Sequence, residues 1–342
     1  MSAAILELQH VEVDFPIEDG IVSAVADVSL SVAPREIVGI VGESGCGKST
    51  LAMSIIGLLG SQARVRGHIE FAGQDLLGLS EKERHALRGD RLSMIFQDPL
   101  TSLDPAYGIG EQVAETIRAH RSVTPAEARD QALGLLKDVG IPAAEQRYDE
   151  PPHRFSGGMR QRVVVATALA NDPALLIADE PSTALDVTIQ AQVLELLRTR
   201  REDHDTAILF ITHDLGVVAQ ICDRVAVMYA GQLVEVAPVV ELFRSPQHPY
   251  TEALLAAQPT SGQKRGALRV IEGEVADLSA PPPGCRFAPR CRLAHDACTS
   301  IPVMTTAGPG HSVACWARPD GYATGNGDET AGTGEQPAEV PA

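Results

Sequence analysis

Apolar residues recur at a strand-like period of two from the start of the chain, at Leu6, Leu8, Val11 and Val13. After a turn at Glu18-Asp19-Gly20 the alternation returns from Val25 to Val32. Ile37-Val38-Gly39-Ile40-Val41 is a continuous apolar run, the pattern of a strand buried on both faces. It leads through Gly42–Thr50 into a helical stretch at Leu51–Leu59. From about Pro99 to Pro152 the spacing is mostly helical, with Thr124-Pro125-Ala126-Glu127 a strong helix start. Strand-like runs at Ala174–Ala178 and Ala207–Thr212 flank a helical stretch near Val187–Arg198. Strands alternating with helices predict an α/β fold with a parallel sheet covered on both faces. Beyond Gly231 comes a tail rich in Pro and Cys, and Asp320–Ala342, with five acids and no Lys or Arg, is expected to be disordered.

Composition narrows the function classes. The chain has 342 residues, 44% hydrophobic and 21% charged, which reads as globular with a sizeable core. Twenty-eight basic residues against forty-five acidic ones give a net charge of −17. That balance argues against wrapping nucleic acid, whose phosphates are neutralised by Lys and Arg. Met1 to Phe15 shows neither a basic nor an apolar leader region, so no secretory signal is expected. The most apolar stretches, such as Val163–Ala170, are too short to span a bilayer. Of six cysteines, Cys46 and Cys222 stand alone while Cys285, Cys291, Cys298 and Cys315 crowd the last quarter. In a reducing compartment such a group favours metal chemistry over disulfides.

Gly42-Glu43-Ser44-Gly45-Cys46-Gly47-Lys48-Ser49-Thr50 fits G-x-x-x-x-G-K-[ST] between a predicted strand and a predicted helix. Its glycines let the backbone fold around phosphates, and successive N–H groups plus the helix N-terminus supply positive potential. Lys48 is placed to reach the β- and γ-phosphates and Ser49 to ligate Mg²⁺. Cys46, inside the loop, reads as an inert small residue rather than an oxidation-sensitive one. Leu175-Leu176-Ile177-Ala178-Asp179-Glu180 is an apolar strand ending in two acids. Asp179 is positioned to hold Mg²⁺ through water, and Glu180 to polarise an attacking water. Phe155-Ser156-Gly157-Gly158-Met159-Arg160-Gln161 precedes a helix predicted at Arg162–Ala170 and offers a second anion site.

These motifs stand in one order: the phosphate loop, Gln97 in Ile95-Phe96-Gln97-Asp98, Ser-Gly-Gly-Met, Asp-Glu, Ser182-Thr183-Ala184-Leu185-Asp186 and Thr212-His213-Asp214. In that order the chain resembles the ATP-binding subunits of ABC transporters over roughly residues 5–235. The resemblance implies a P-loop NTPase domain over 1–235, with a RecA-like parallel sheet core, an antiparallel β subdomain and a helical subdomain at about 98–165. It implies that Gln97 contacts Mg²⁺ and senses the membrane partner, that Glu180 is the general base and that His213 contacts the γ-phosphate. Phe15 matches the aromatic that stacks on adenine, its alternative being a strand-end core residue. The nucleotide is then held by Phe15, residues 42–50, Gln97 and His213 of one subunit, and in trans by Ser156, Gly157, Gly158, Gln161 and Asp186 of the other. Each chain so carries two half-sites and requires a companion ATPase. The signature begins with Phe155 rather than leucine and follows Pro152-His153-Arg154, departures that remove no phosphate-binding group.

The tail narrows the branch. Phe243-Arg244-Ser245-Pro246-Gln247-His248-Pro249-Tyr250-Thr251, then Gly273-Glu274-Val275-Ala276-Asp277-Leu278, then Pro281 to Cys291 resemble the C-terminal extension of oligopeptide/dipeptide/nickel importer ATPases. The extension is placed at 236–319, with 320–342 beyond it. The branch implies two transmembrane permease subunits, a non-identical companion ATPase, an extracellular substrate-binding protein and a peripheral place on the cytoplasmic face of the membrane. Peptide uptake is the leading reading. A nickel or other small-solute importer is the alternative, and a soluble ABC ATPase acting on nucleic acid or ribosomes is disfavoured by the single ATPase module and the acidic charge. The four tail cysteines, at intervals of five, six and sixteen residues, lack the close pair common in zinc sites. Four thiolates and the branch resemblance give the expectation of a [4Fe–4S] cluster at Cys285, Cys291, Cys298 and Cys315. Zinc, with His295 or His311, and four cysteines packed in a small core are the alternatives. Arg286, Arg290, Arg292 and Arg318 would offset a cluster's charge or form a solvated face.

Overall fold

The computed structural model describes residues 4–18, 20–182, 185–258 and 270–318. The tail expected to be disordered, 320–342, lies outside the described residues, as do Thr183 and Ala184. The strands are β1 (Leu6–Ile17), β2 (Gly20–Val32), β3 (Ile37–Val41), β4 (Arg64–Phe71), β5 (Gln74–Asp75), β6 (Leu92–Ile95), β7 (Leu175–Asp179), β8 (Ala207–Ile211), β9 (Arg224–Tyr229), β10 (Gln232–Pro238), β11 (Thr305–Gly308) and β12 (His311–Val313).

They form two sheets. An antiparallel sheet runs β2-β1-β4-β5, and an eight-stranded sheet runs β11-β12-β10-β9-β3-β8-β7-β6. From β9 to β6 the larger sheet is parallel, with Gly39 opposite Phe210 on one side and Val225 on the other. The central strand β3 is buried at all five positions, which is why its sequence does not alternate. Its side chains still divide by parity: Val38 and Ile40 enter one core layer, Ile37 and Val41 the other. The first layer is closed by the antiparallel sheet, through Leu6, Leu8, Val11 and Val25, and by the helix Lys48–Ile56. The second is closed by helices that include Ile109–His120, Pro125–Asp138 and Gly157–Ala168.

Local signals and structure agree where capping is explicit. Thr124 accepts from the Glu127 N–H at 3.3 Å while the Glu127 carboxylate accepts from the Thr124 N–H at 2.7 Å, a complete capping box behind Pro125. Helix boundaries shift where polar residues lead. The helix predicted from Leu51 begins at Lys48, because left-handed Gly47 starts it before any apolar residue occurs. The helix predicted from Arg162 begins at Gly157, capped by Ser156.

The C-terminal extension is built onto the main sheet: β12 hydrogen-bonds to β10, with Glu235 opposite Val313. Glu235, fully buried, ties this corner together. Its carboxylate accepts from the Gln247 and His248 N–H groups at 2.7 and 2.8 Å and lies 2.7 Å from His311 Nε2. His248 follows directly, accepting the Tyr250 N–H on Nδ1 at 3.0 Å. Burial, reinforced by nearby Arg318, depresses its pKa to about 3, so the folded protein holds it neutral.

A depressed histidine makes the unfolded chain the better proton binder between its own pKa and the folded one. Stability from this residue is therefore complete above about pH 6.5 and declines as the pH falls toward 3, by at most ~1.4 kcal/mol per pH unit. The denaturant midpoint of the chain is expected to fall more steeply between about pH 7 and pH 5 than that of His248→Gln. Parallel slopes for the two proteins would show that His248 is not the group responsible.

Candidate nucleotide site

The carboxyl ends of β3, β7 and β8 lie side by side, and each releases one motif. β3 runs into Gly42–Gly47, β7 ends in Asp179 followed by Glu180, and β8 leads to Thr212-His213. The Thr212 N–H donates to the Ile40 carbonyl at 3.2 Å, holding the last of these beside the first. Such strand ends in a parallel sheet form the crevice where ligands of this fold class sit.

The phosphate loop is held tightly from behind. Gly47, at φ 102°, lies so close to β2 that a Cβ there would sit 2.2 Å from the Ala24 carbonyl oxygen. Only glycine allows that conformation and that approach together. Lys48, nearly buried, donates from Nζ to the Gly42 and Glu43 carbonyls at 2.8 and 2.9 Å, so its ammonium is poised within the loop. Cys46 is fully buried, and burial pushes its thiol above the ordinary range despite Lys48 nearby, in keeping with an inert filler.

Asp179 is nearly buried, its Oδ1 makes no hydrogen bond, and the Ser49 hydroxyl bonds its carboxylate. Burial raises its pKa, and the Ser49 bond and Lys48 oppose the rise while Glu180 adds to it. An unsatisfied buried carboxylate oxygen beside a serine hydroxyl is a fitting donor set for a hard divalent cation such as Mg²⁺. Glu180 adopts a left-handed backbone, φ 49°, and its N–H donates to the Ile211 carbonyl at 2.9 Å. The turn leaves Glu180 Oε1 3.0 Å from His213 Nδ1. His213 is the more open partner, its side chain 63% exposed against 13% for Glu180. Gln97 is exposed just beyond β6, next to β7.

Other predicted residues sit elsewhere. Phe15 lies on β1 opposite Val22, half-buried and packed on the core layer beneath. Ser156 is exposed and caps its own helix, accepting the Met159 N–H at 3.3 Å. Gly157 beside it faces open space, since a Cβ there would meet nothing within 4 Å. Gln161 is buried and donates to the Pro181 carbonyl at 3.1 Å, joining that helix to the segment after Glu180. Asp186 is exposed and caps the helix Val187–Asp203 through the Ile189 N–H at 3.0 Å.

The cluster expectation is overturned. Among the described residues no group of three or more His, Cys, Asp or Glu side chains is arranged to hold a metal ion, so neither a [4Fe–4S] cluster nor zinc is supported at Cys285, Cys291, Cys298 and Cys315. Burial holds Cys285 at about 11 and raises Cys291 and Cys315, which favours neutral thiols. Cys285 and Cys291 pack against the helical core layer, and the Leu293 N–H donates to Cys291 Sγ at 3.3 Å. The four arginines have structural partners instead: Arg286 bonds the Ala230 carbonyl, Arg290 pairs with Glu43, and Arg292 and Arg318 both pair with Glu252.

Sequence reasoning also missed two groups at the phosphate loop. The Glu43 N–H donates to the Tyr250 hydroxyl at 2.9 Å, and Arg290 grips the Glu43 carboxylate through two nitrogens at 2.8 and 3.2 Å. The available signals, a His-Pro-Tyr helix start and one arginine among four near the cysteines, point to no site at all.

A family profile described as ABC transporter matches residues 25–183, and one described as the C-terminal region of oligopeptide/dipeptide transporters matches 234–298. The chain is 47% identical to the dipeptide transport ATP-binding protein DppD of Bacillus subtilis, over 91% of this chain and 94% of the relative. It is 45% identical to the oligopeptide transport ATP-binding protein OppD of Salmonella typhimurium, over 91% and 93%. Neither name indicates a cluster. Among solved structures, the dimeric post-hydrolysis state of the ATP-binding cassette MJ0796 bound to ADP and Pi aligns with a TM-score of 0.63 at 28% identity, over 68% of this chain and 98% of that one.

Substituting Gly47→Ala forces the loop away from Ala24. ATP affinity, measured by equilibrium binding, is expected to fall by at least about tenfold, the effect of losing roughly 1.4 kcal/mol of binding energy. Native affinity in the variant would show that this close approach does not shape the site.

Proposed function

This chain belongs to the ABC transporter family, in the branch carrying the oligopeptide/dipeptide C-terminal region, and on that premise we propose how its residues divide the work of an ATPase that energises peptide uptake. ATP and Mg²⁺ are its cofactors, and it works with membrane permease subunits and a substrate-binding protein. Among the described residues no helix is long and apolar enough to cross a membrane, consistent with peripheral attachment. In the proposed arrangement the permeases are two, the companion ATPase is a related but different chain, and this chain lies on the cytoplasmic face. Relatives named for dipeptides and oligopeptides favour peptide over nickel as cargo.

The reading is carried by one observation: Asp179, with its unpartnered Oδ1, is hydrogen-bonded by the Ser49 hydroxyl of the phosphate loop and is followed directly by Glu180, which meets His213. Residues 42–50 cradle the phosphates, with Lys48 turning from the Gly42 and Glu43 carbonyls to the γ-phosphate. Ser49, Asp179 and Gln97 would hold Mg²⁺, which would supply neutralisation of charge developing on the phosphates. Glu180 takes the proton from the attacking water, and His213, hydrogen-bonded to Glu180, orients that carboxylate and reaches the γ-phosphate.

The complementary half-site is formed by Ser156, Gly157 and Gly158 at a helix start that faces open space. A twelve-residue helix presents free N–H groups and positive potential there. Asp186 and Gln161 support it from the adjoining helix and from beneath, and Phe15 supplies the adenine contact. Because the two anion-binding ends occupy different layers of one chain, each nucleotide is enclosed only when a second ATPase supplies the missing end.

Glu180→Gln, assayed in the assembled importer, is expected to bind ATP normally and to lose turnover by about 10²-fold or more, the scale of general-base catalysis. Native turnover in that variant would remove Glu180 from the role of base.

A further inference from the structure

Every polar group of Glu43 is engaged, and half of the engagement comes from the C-terminal extension. Its carbonyl accepts from Lys48 Nζ at 2.9 Å and from the Cys46 N–H at 3.3 Å, both within the phosphate loop. Its N–H donates to the Tyr250 hydroxyl at 2.9 Å, and its carboxylate pairs with Arg290. Tyr250 is fully buried, and the Arg290 side chain is only 4% exposed although 247 residues separate it from Glu43. Arg290 is itself fixed, donating to the Glu272 and Ile271 carbonyls at 2.9 and 3.1 Å. Tyr250 stands in an aromatic cluster, its ring 4.7 Å from Tyr229 and 5.4 Å from Phe287. Tyr229 ends β9, the parallel neighbour of the strand that feeds the loop.

We infer that the extension is a clamp on the phosphate loop, with Arg290 and Tyr250 as positioning residues for ATP binding. Two physical effects follow from the contacts. A carboxylate within a loop that attracts phosphates opposes that attraction, and a buried, two-point guanidinium partner neutralises it. Holding the Glu43 backbone also fixes the carbonyl against which Lys48 rests, and so the place from which its ammonium reaches the nucleotide. The extension thus contributes to the ATP site although none of its residues belongs to an ATPase motif. The proposal rests on residues 42–50 being the ATP site, so Lys48→Ala serves as the control for that reading.

The test uses the assembled importer and compares Arg290→Gln, Arg290→Lys, Tyr250→Phe, Glu43→Gln and the double variant Glu43→Gln/Arg290→Gln. Arg290→Gln is expected to raise the KM for ATP by about tenfold, the scale of one lost charged hydrogen bond, with kcat preserved within about twofold. Tyr250→Phe, which deletes one hydroxyl without changing the ring, is expected to raise KM about threefold, and Arg290→Lys to recover part of the Arg290→Gln loss. The double variant should bind ATP no worse than Arg290→Gln alone, because both changes remove the same pair. If Lys48→Ala abolishes ATP binding while Arg290→Gln and Tyr250→Phe keep native KM, the clamp is refuted and the ATP site stands. A fall in thermal stability with unchanged KM, or additive effects of Glu43→Gln and Arg290→Gln, refutes it as well. If Lys48→Ala binds ATP normally, the ATP-site reading and the clamp fall together.

Discussion

A loop of backbone N–H groups attracts a triphosphate only if it is kept open in a conformation that its own polar groups would otherwise collapse. That constraint organises this protein. The Gly47 backbone presses on the Ala24 carbonyl of the antiparallel sheet, the Cys46 carbonyl accepts the Gly231 N–H at 2.8 Å, and Glu43 is held by Tyr250 and Arg290. Three separate regions therefore converge on one loop: the first sheet, the turn between β9 and β10, and the C-terminal extension. The buried Lys48 completes it, bridging two loop carbonyls with the charge that the phosphates require.

The acids opposite the loop illustrate the other half of the electrostatic problem. Desolvation opposes ionisation of Asp179, and its Oδ1 has no donor, a cost of about 1–3 kcal/mol for a buried polar group left unsatisfied. A cation bound beside Ser49, as proposed, would remove that cost and so link the unfavourable burial to cofactor binding. Glu180 carries a different strain, a left-handed backbone worth about 1–2 kcal/mol outside glycine, and through it the carboxylate reaches His213. Both costs sit at the carboxyl end of β7, which, like its parallel neighbour β8, is buried at all five positions.

Much of this was legible in the sequence because it is local. The run Ile37–Val41 announces a central strand, G-x-x-x-x-G-K-[ST] a phosphate loop, and Thr124-Pro125-Ala126-Glu127 a capped helix, since each is dictated by neighbours a few residues apart. The comparatively polar starts of the helices at Lys48 and Gly157 lie before the apolar spacing begins, because capping there depends on backbone geometry. The tail is the least legible part of the chain. Its cysteines suggested a metal cluster, yet the structure arranges no metal-holding group among the described residues and gives the neighbouring arginines protein partners. Arg290 and Glu43 are 247 residues apart, and Glu235 and His311 are 76 apart, so no periodicity or motif connects them before the chain folds.

In the proposed reading this chain holds two incomplete ATP half-sites and acts only as part of a pair coupled to a membrane channel. The most direct measurement is the ATPase rate per chain, followed as the isolated protein is diluted and again when it is assembled with its companion ATPase and permeases. Turnover of the isolated chain is expected to vanish on dilution and to be restored in the assembly. Full turnover by the isolated chain, independent of its concentration, would contradict it.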